Sequence, residues 1–72
     1  MTVDIILRRD TNVKFVYKNL TPYKDEVTRK NRENYYDIDK VTITIGIFKE
    51  NDLHIYIYPI NWYDVEIIEK GV

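Results

Sequence analysis

The sequence predicts an all-β domain, and two features of the sequence support this fold class. Apolar residues alternate with polar or aromatic ones over several stretches, which is the period-2 pattern of strands with one buried face. The chain has no Ala, Ser, Cys or Gln but is rich in Ile, Val, Tyr and Thr, a balance that favours strands over helices. A length of 72 residues allows one small core, so we expect a single domain over residues 1–72. We predict five antiparallel strands, near residues 2–9, 13–20, 40–49, 53–58 and 62–69.

The first two predicted strands form a hairpin. Alternating apolar residues run through residues 2–9 and 13–20, and the polar residues 10–12 between them are typical of a turn. The face opposite the core would carry basic side chains that keep an edge strand soluble, namely Arg8, Lys14 and Lys18.

Residues 21–34 depart from the strand pattern. Thr21 before Pro22 is a helix-start signal, and the acidic residues that follow precede the basic ones, as a helix dipole favours. The apolar stripe of such a helix would consist of Tyr23 and Val27 alone, which is little area to hold it in place. The sequence therefore supports a short helix and a mobile loop equally for this excursion from the sheet.

A second hairpin occupies the centre of the chain. Isoleucines alternate along residues 41–48 and again along residues 53–58, with four polar residues between the two runs. An odd-length loop with Asn51 or Asp52 in the left-handed region would set Ile47 opposite Ile55, so that both isoleucine rows face the core. We therefore predict the odd loop.

Gly46 in the middle of a predicted strand indicates a close approach by another group. A tyrosine ring lying across the glycine backbone is the usual reason for such a residue, and in the predicted register Tyr56 lies opposite Gly46. The predicted core consists of the inward apolar residues of all five strands: Val3, Ile5, Leu7, Val13, Phe15, Ile43, Ile45, Ile47, Ile55, Ile57, Val65 and Ile67.

The segment after the central hairpin resembles the C-terminal end of SH3 domains. Pro59 ends the strand, and Pro59-Ile60-Asn61 is typical of a tight turn or one turn of 3₁₀ helix. The order strand, Pro-x-Asn-aromatic, short last strand resembles that of SH3-like small barrels. The resemblance implies a partial SH3-like barrel, and it implies that Pro59 and Trp62 line a groove for proline-rich peptides.

The chain lacks the residues that most catalytic mechanisms require. There is no Ser or Cys nucleophile, and two glycines cannot form a glycine-rich phosphate loop. His54 is the only histidine, and its place in a strand beside tyrosines is typical of a surface or hydrogen-bonded residue. Asp52 and His54 offer two metal ligands where a zinc site needs three or four. We predict that the chain is not an enzyme and has no metal or cofactor.

A binding surface is the function that the aromatic residues favour. Ten aromatic residues exceed what one thin core needs, and tyrosine and tryptophan are favoured at interfaces. The predicted partner-binding residues are aromatic residues that hold the partner and basic residues that steer it: Tyr56, Tyr58, Trp62, Tyr36, Arg29, Lys30 and Arg32. In the alternative interpretation, this aromatic face is a second layer of the fold or is covered by residues 21–34.

We predict a non-catalytic protein-interaction module, in particular a phage or mobile-element inhibitor that docks on a larger host enzyme. The abundant Ile, Asn, Lys and Tyr residues have AT-rich codons, and such inhibitors are commonly short and free of cofactors. A first alternative is a nucleic-acid-binding barrel with Tyr56 and Tyr58 as stacking platforms, although a net charge of −1 weighs against it. A second alternative is a homodimer, because an edge strand invites self-association.

The sequence also predicts where the protein resides. Its N-terminus has no basic region ahead of an apolar run, and no apolar run approaches the length of a bilayer span. The absence of cysteine fits a reducing compartment. We therefore expect a soluble cytoplasmic protein without membrane contact, in the cytoplasm of a bacterial host if the chain is phage-derived.

Overall fold

Six strands form one sheet in the computed structural model, which describes residues 1–23 and 34–71. The elements are β1 (Thr2–Arg8), β2 (Lys14–Pro22), β3 (Tyr35–Ile38), β4 (Thr42–Lys49), β5 (Asp52–Pro59), a 3₁₀ turn (Ile60–Trp62) and β6 (Asp64–Lys70). The predicted all-β fold class is confirmed, since the described residues contain no α-helix. The five predicted strands are all present, and β3 is a sixth that the sequence did not predict.

The strands lie in the order β5-β4-β3-β2-β1-β6, and the sheet does not close into a barrel. All neighbours are antiparallel except β2 and β3, which run parallel. The prediction of a purely antiparallel sheet is therefore wrong at this one pair. A parallel pair needs a long connection between its strands, and residues 23–34 separate β2 from β3 in the chain.

The N-terminal hairpin of β1 and β2 is confirmed, with Ile5 opposite Tyr17 and Leu7 opposite Phe15. Its turn is organised by Asp10, whose Oδ1 accepts hydrogen bonds from the N–H groups of Asn12 (2.7 Å) and Val13 (2.9 Å). A short polar side chain that bonds the backbone two residues ahead is a common turn device.

A β-bulge interrupts this hairpin between Val3 and Ile5 of β1. Asn19 adopts a left-handed φ of 58° there, and its N–H donates to Oδ1 of Asp4 at 3.0 Å. Lys70 of β6 donates to Oδ1 of Asn19 at 2.9 Å and lies 3.3 Å from Asp4. The Asn19 backbone hydrogen bond, with Lys70, lowers the pKa of Asp4. A bulge bends its strand, so this network fixes the point where β2 leaves β1 for β3.

The predicted helix start at Thr21-Pro22 is wrong, because both residues lie at the end of β2. The N–H of Thr21 donates to the carbonyl of Asn34 (3.1 Å), and the N–H of Tyr23 donates to that of Tyr36 (3.2 Å). Backbone pairing with β3 thus holds these residues extended. The remainder of the predicted excursion, residues 24–33, lies outside the described residues.

The core occupies one face of the sheet, which we call the inner face. Its fully buried side chains come from β1, β2 and β4: Val3, Ile5, Leu7, Leu20, Ile43 and Ile45. Half-buried residues that include Tyr17, Tyr56, Tyr58 and Val65 pack against them. Ile55 (48% exposed) and Ile57 (63% exposed) were predicted to lie in the core, and that prediction is wrong. Phe15 and Ile67 are also more exposed than predicted.

The misplaced isoleucines follow from the register of the β4–β5 hairpin. Glu50 (φ 50°) and Asn51 (φ 71°) are both left-handed and form a two-residue loop, with Lys49 paired to Asp52. Such a loop has the backbone of a type I′ turn. A two-residue loop shifts the pairing by one residue relative to the predicted odd loop, and this reverses the face of every β5 side chain.

In this register the inner face carries Ile43, Ile45 and Ile47 opposite Tyr58, Tyr56 and His54. Gly46 lies opposite Ile55 on the outer face, which is the face away from the core. The predicted ring over Gly46 exists, but it belongs to Tyr35 of β3 instead of Tyr56. A Cβ at Gly46 would lie 2.6 Å from two ring carbons of Tyr35, closer than carbon atoms pack.

The predicted single turn after Pro59 is confirmed as the 3₁₀ turn Ile60–Trp62. The N–H of Ile60 donates to the carbonyl of Val41 at 2.8 Å, and the N–H of Tyr63 donates to the carbonyl of Ile60 at 3.2 Å. The first bond continues the pairing of β4 with β5, the second closes the turn, and β6 then pairs along the full length of β1. The turn therefore carries the chain from one edge of the sheet to the other.

Candidate interaction surface

Two of the predicted contact residues, Tyr56 and Tyr58, form part of an aromatic cluster on the inner face. The hydroxyl groups of Tyr17 and Tyr58 are hydrogen-bonded, which connects β2 to β5 across the sheet. The Tyr17 ring lies 6.0 Å from that of Tyr56, and the Tyr58 ring lies 5.3 Å from that of Phe15 and 5.4 Å from that of Tyr63. Both tyrosines are half-buried, so each offers only part of its ring to a partner.

The cluster also perturbs a titrating group. Burial raises the pKa of the Tyr17 hydroxyl far above its usual range, and the hydrogen bond with Tyr58 raises it further. Burial also raises the pKa of Tyr36. Both effects favour the neutral phenol, because a buried phenolate loses its hydration. These hydroxyls therefore act as neutral hydrogen-bonding groups at ordinary pH.

Trp62 is the most exposed of the predicted aromatic contacts, with 56% of its surface accessible. It ends the 3₁₀ turn, and the guanidinium carbon of Arg9 lies 4.9 Å from the centre of its ring. A cation over the face of tryptophan is attracted by the ring quadrupole. This contact orients an exposed ring close to the end of β5.

Tyr36, the fourth predicted aromatic contact, lines a cleft at the end of β2 and β3. The cleft is bounded by Pro22, Tyr23, Tyr36, Asp37 and Ile38. Tyr36 is half-buried and its backbone is held by β4 on one side and by the end of β2 on the other. The predicted basic contacts Arg29, Lys30 and Arg32 lie outside the described residues.

The surface that the sequence did not predict is the open edge of β5. Among the described strands β5 pairs with β4 alone and ends the sheet, and its outer face exposes Ile55 and Ile57. We call the backbone and outer side chains of Leu53, Ile55 and Ile57 the β5 edge. One signal in the sequence could have indicated it, namely that the eight strand residues include one Asp and no Glu, Lys or Arg.

The backbone of the β5 edge offers unused hydrogen-bonding groups. In a hairpin closed by a two-residue loop, the residues that flank the loop exchange hydrogen bonds, and every second pair after them does so too. The Ile60 to Val41 bond fits this alternation. The intervening residues Leu53, Ile55 and Ile57 thus direct their N–H and C=O groups away from β4. No described residue pairs with these groups.

The opposite edge of the sheet differs in charge. β6 carries Asp64, Glu66, Glu69 and Lys70, and Glu66 pairs with Arg8 at 3.0 Å. Charged side chains along an edge strand discourage the addition of another strand. The two edges therefore differ in their readiness to pair, with β5 the unprotected one.

Other kinds of site find little support in the described part of the chain. Residues 1–23 and 34–71 contain no group of three or more His, Cys, Asp or Glu side chains that could hold a metal ion. Within the same residues, no helix is long and apolar enough to cross a bilayer. Comparison of the chain with known protein families, with curated proteins and with solved structures finds no match.

Proposed function

We propose that this chain is a non-catalytic protein-interaction module that binds its partner by adding a strand to the β5 edge. The observation that carries the proposal is the combination of outward backbone groups with the exposed side chains of Ile55 and Ile57. In strand addition, main-chain hydrogen bonds supply affinity and alternate side chains supply specificity. The β5 edge offers both over five consecutive positions.

The contrast between the two edges supports this choice of surface. Natural sheets protect their edges with charges, proline or short strands, because an open edge pairs with other chains. β6 has the charges. β5 has its proline only at the last residue, Pro59, and leaves the preceding apolar positions open. An unprotected edge strand of this length is therefore expected to serve as a surface for strand addition.

Trp62 lies close enough in sequence to contribute to the same surface. It follows the end of β5 by three residues and is exposed, with Arg9 stacked on its ring. Exposed aromatic residues with a fixed orientation are common anchors at interfaces. In this proposal Trp62 contacts the partner, whereas Tyr56 and Tyr58 position β5 from the inner face.

Three more specific proposals come from the sequence: an SH3-like architecture, an inhibitor role and, as the alternative, nucleic-acid binding. An SH3-like architecture is supported by the 3₁₀ turn between β5 and β6 and by the pairing of β6 with β1. An inhibitor that docks on a larger enzyme would use the β5 edge as its contact. A nucleic-acid-binding role is less favoured, because the predicted stacking rings Tyr56 and Tyr58 are half-buried against Tyr17 and Phe15.

The test is capture of a protein, from a bacterial lysate to which the untagged chain has been added, by three tagged forms of the chain, with and without nuclease. The forms are the wild type, Ile57→Lys and the control Ile68→Lys, which places the same charge at an exposed residue of β6 (42% exposed). We expect the wild type and the control to capture the same protein in both lanes, and Ile57→Lys to lose it. Equal capture by all three forms would overturn the proposal, and recovery that nuclease abolishes would favour nucleic acid. Circular dichroism checks that each form is folded.

A further inference from the structure

We propose that the β5 edge binds a second copy of the same chain, through an antiparallel β5–β5 pair whose two-fold axis passes beside Ile55. This inference rests on the proposed function, in which the β5 edge is the binding surface, and it names the partner. A two-fold dimer requires a surface that complements itself. The β5 edge meets this requirement in its backbone, its side chains and its charge.

The backbone selects the register of the pair. Leu53, Ile55 and Ile57 each direct both an N–H and a C=O outward, whereas Pro59, the next residue in the alternation, has no N–H. Centring the pair on Ile55 sets Ile55 opposite itself and Leu53 opposite Ile57 of the second copy. Each such pair exchanges two hydrogen bonds, so the three pairs supply about six in total. Centring it on Tyr56 would instead set Leu53 opposite Pro59 and lose donors.

The side chains of this register also match. On the outer face, Ile55 meets Ile55 and Leu53 meets Ile57 of the second copy, so apolar side chains cover the two isoleucines that are exposed in the single chain. Directly opposed apolar side chains are the stabilising unit of an antiparallel pair. On the inner face, His54 lies opposite Tyr56 of the second copy, and this pair brings no like charges together.

The charges of β5 permit this pairing. Asp52 is its one acidic residue, and the register sets it opposite Tyr58 of the second copy. The two copies of Asp52 then lie six residues apart along the strand direction, about 20 Å. That separation exceeds the screening length of about 8 Å at physiological salt. Self-pairing of β6 would instead bring together strands that each carry three acidic residues and one lysine.

The size of the core gives a reason for self-association. Six fully buried side chains form the core of the described residues, and the chain has no cysteine for a disulfide. Small domains often gain stability from oligomerisation. A single strand pair buries less area than a standard interface, so we expect a dissociation constant on the order of micromolar.

The first test uses single cysteines, for which the cysteine-free chain is well suited. At position 55 the two thiols would face each other, with Cα atoms about 5.5 Å apart and within disulfide range. At position 57 they would be four residues out of register, about 14 Å apart. Under mild oxidation we expect Ile55→Cys to form covalent dimers at least about tenfold faster than Ile57→Cys or Ile68→Cys. Equal rates at the three positions would overturn the proposed register.

The second test is sedimentation equilibrium over a concentration series that reaches several hundred micromolar. We expect the wild type and Ile68→Lys to dimerise, and Ile55→Lys to raise the dissociation constant at least about tenfold, because two lysines would meet at the axis. Mixing Ile55→Lys with Ile55→Glu should restore the dimer. A monomeric wild type, or a dimer unaffected by Ile55→Lys, would overturn the inference.

The two proposals fail separately. If the wild type is monomeric but loses lysate capture on Ile57→Lys, the β5 edge binds a different protein, and only the identity of the partner is wrong. If the wild type dimerises and Ile55→Lys leaves the dimer intact, self-association uses another surface. If the wild type is monomeric and capture is also insensitive to Ile57→Lys, both proposals are wrong.

Discussion

Replacing Gly46 by alanine tests the packing of the outer face. The substitution should lower the free energy of unfolding, whereas glycine-to-alanine changes in strands usually raise it. A glycine in a strand costs conformational entropy, and Gly→Ala at a compatible site commonly stabilises a protein by about 0.4–1 kcal/mol. Gly46 has no positive φ that would forbid a side chain. Backbone conformation alone would therefore predict that Gly46→Ala increases the free energy of unfolding.

The Tyr35 ring reverses this expectation. A methyl group at position 46 would lie 2.6 Å from two of its carbons, where carbon atoms normally pack at about 3.5–4.0 Å. The ring must therefore move by about 1 Å. Tyr35 is only 5% exposed, and the Tyr23 ring lies 4.0 Å from it, so it has little room to move. Overpacking of this kind costs about 1–3 kcal/mol, and we expect Gly46→Ala to destabilise the protein by that amount.

Urea unfolding followed by circular dichroism measures the change, with Gly71→Ala as the control. Apart from its chain neighbours, no atom of the described residues lies within 4 Å of the Cβ position at Gly71, so that variant should change the free energy of unfolding by less than about 0.5 kcal/mol. In a Tyr35→Ala background the obstructing ring is absent, and Gly46→Ala should be neutral or stabilising. An unchanged or increased stability of Gly46→Ala in the wild-type background would refute the packing argument.

Three further predictions concern the inner face and the turns. Because the fold raises the pKa of Tyr17, its hydroxyl loses the proton at a lower pH in the unfolded chain, at about pH 10, than in the folded chain. The free energy of unfolding should therefore fall above that pH. Tyr17→Phe should reduce this fall in urea titrations from pH 8 to 11. The N–H groups of Thr42 (2.6 Å) and Val41 (2.7 Å) donate to Asp39 and lower its pKa, so the ionised carboxylate stabilises the fold above pH ~4 and this stabilisation is lost as the pH falls further. Asp39→Asn should therefore be less stable than the wild type at pH 7, and the difference should shrink in acid. A difference in stability that stays constant with pH would contradict this. Ile45→Asp should leave the chain unfolded by circular dichroism, because an unpaired carboxylate at a fully buried position costs several kcal/mol, and a folded Ile45→Asp would contradict the assignment of the inner face.

The sequence predicted those elements that depend on neighbouring residues. The β1–β2 hairpin follows from a period-2 pattern and the turn residue Asp10. The 3₁₀ turn follows from Pro59, which fixes its own φ and ends the strand. Gly46 correctly indicated a ring lying over the backbone. For the hairpin and the turn the physical cause lies within a few residues, so the pattern alone was sufficient. The ring over Gly46 comes from Tyr35, eleven residues earlier, and the sequence pattern did not identify it.

The short strand β3 shows the limit of such local patterns. Its four residues pair in parallel with the end of β2 and antiparallel with β4. A strand of this length has no periodic signal of its own, since four residues fit several structures. Pairing with Thr21 and Pro22 of β2, which lie 14 residues earlier in the chain, and with β4, which follows it, holds β3 extended.

The sequence by itself determined that the chain forms strands and where most of them begin and end, because alternation and turn residues act locally. Only the tertiary structure decided which face of β5 is buried. Judged alone, the row of Leu53, Ile55 and Ile57 is more apolar than the row of Tyr56 and Tyr58, and Ile55 and Ile57 were predicted to lie in the core. The tyrosines face inward instead because Tyr58 bonds Tyr17, 41 residues earlier, and because the two-residue loop permits that register. The isoleucines consequently lie exposed at an open edge, and this surface carries both proposals.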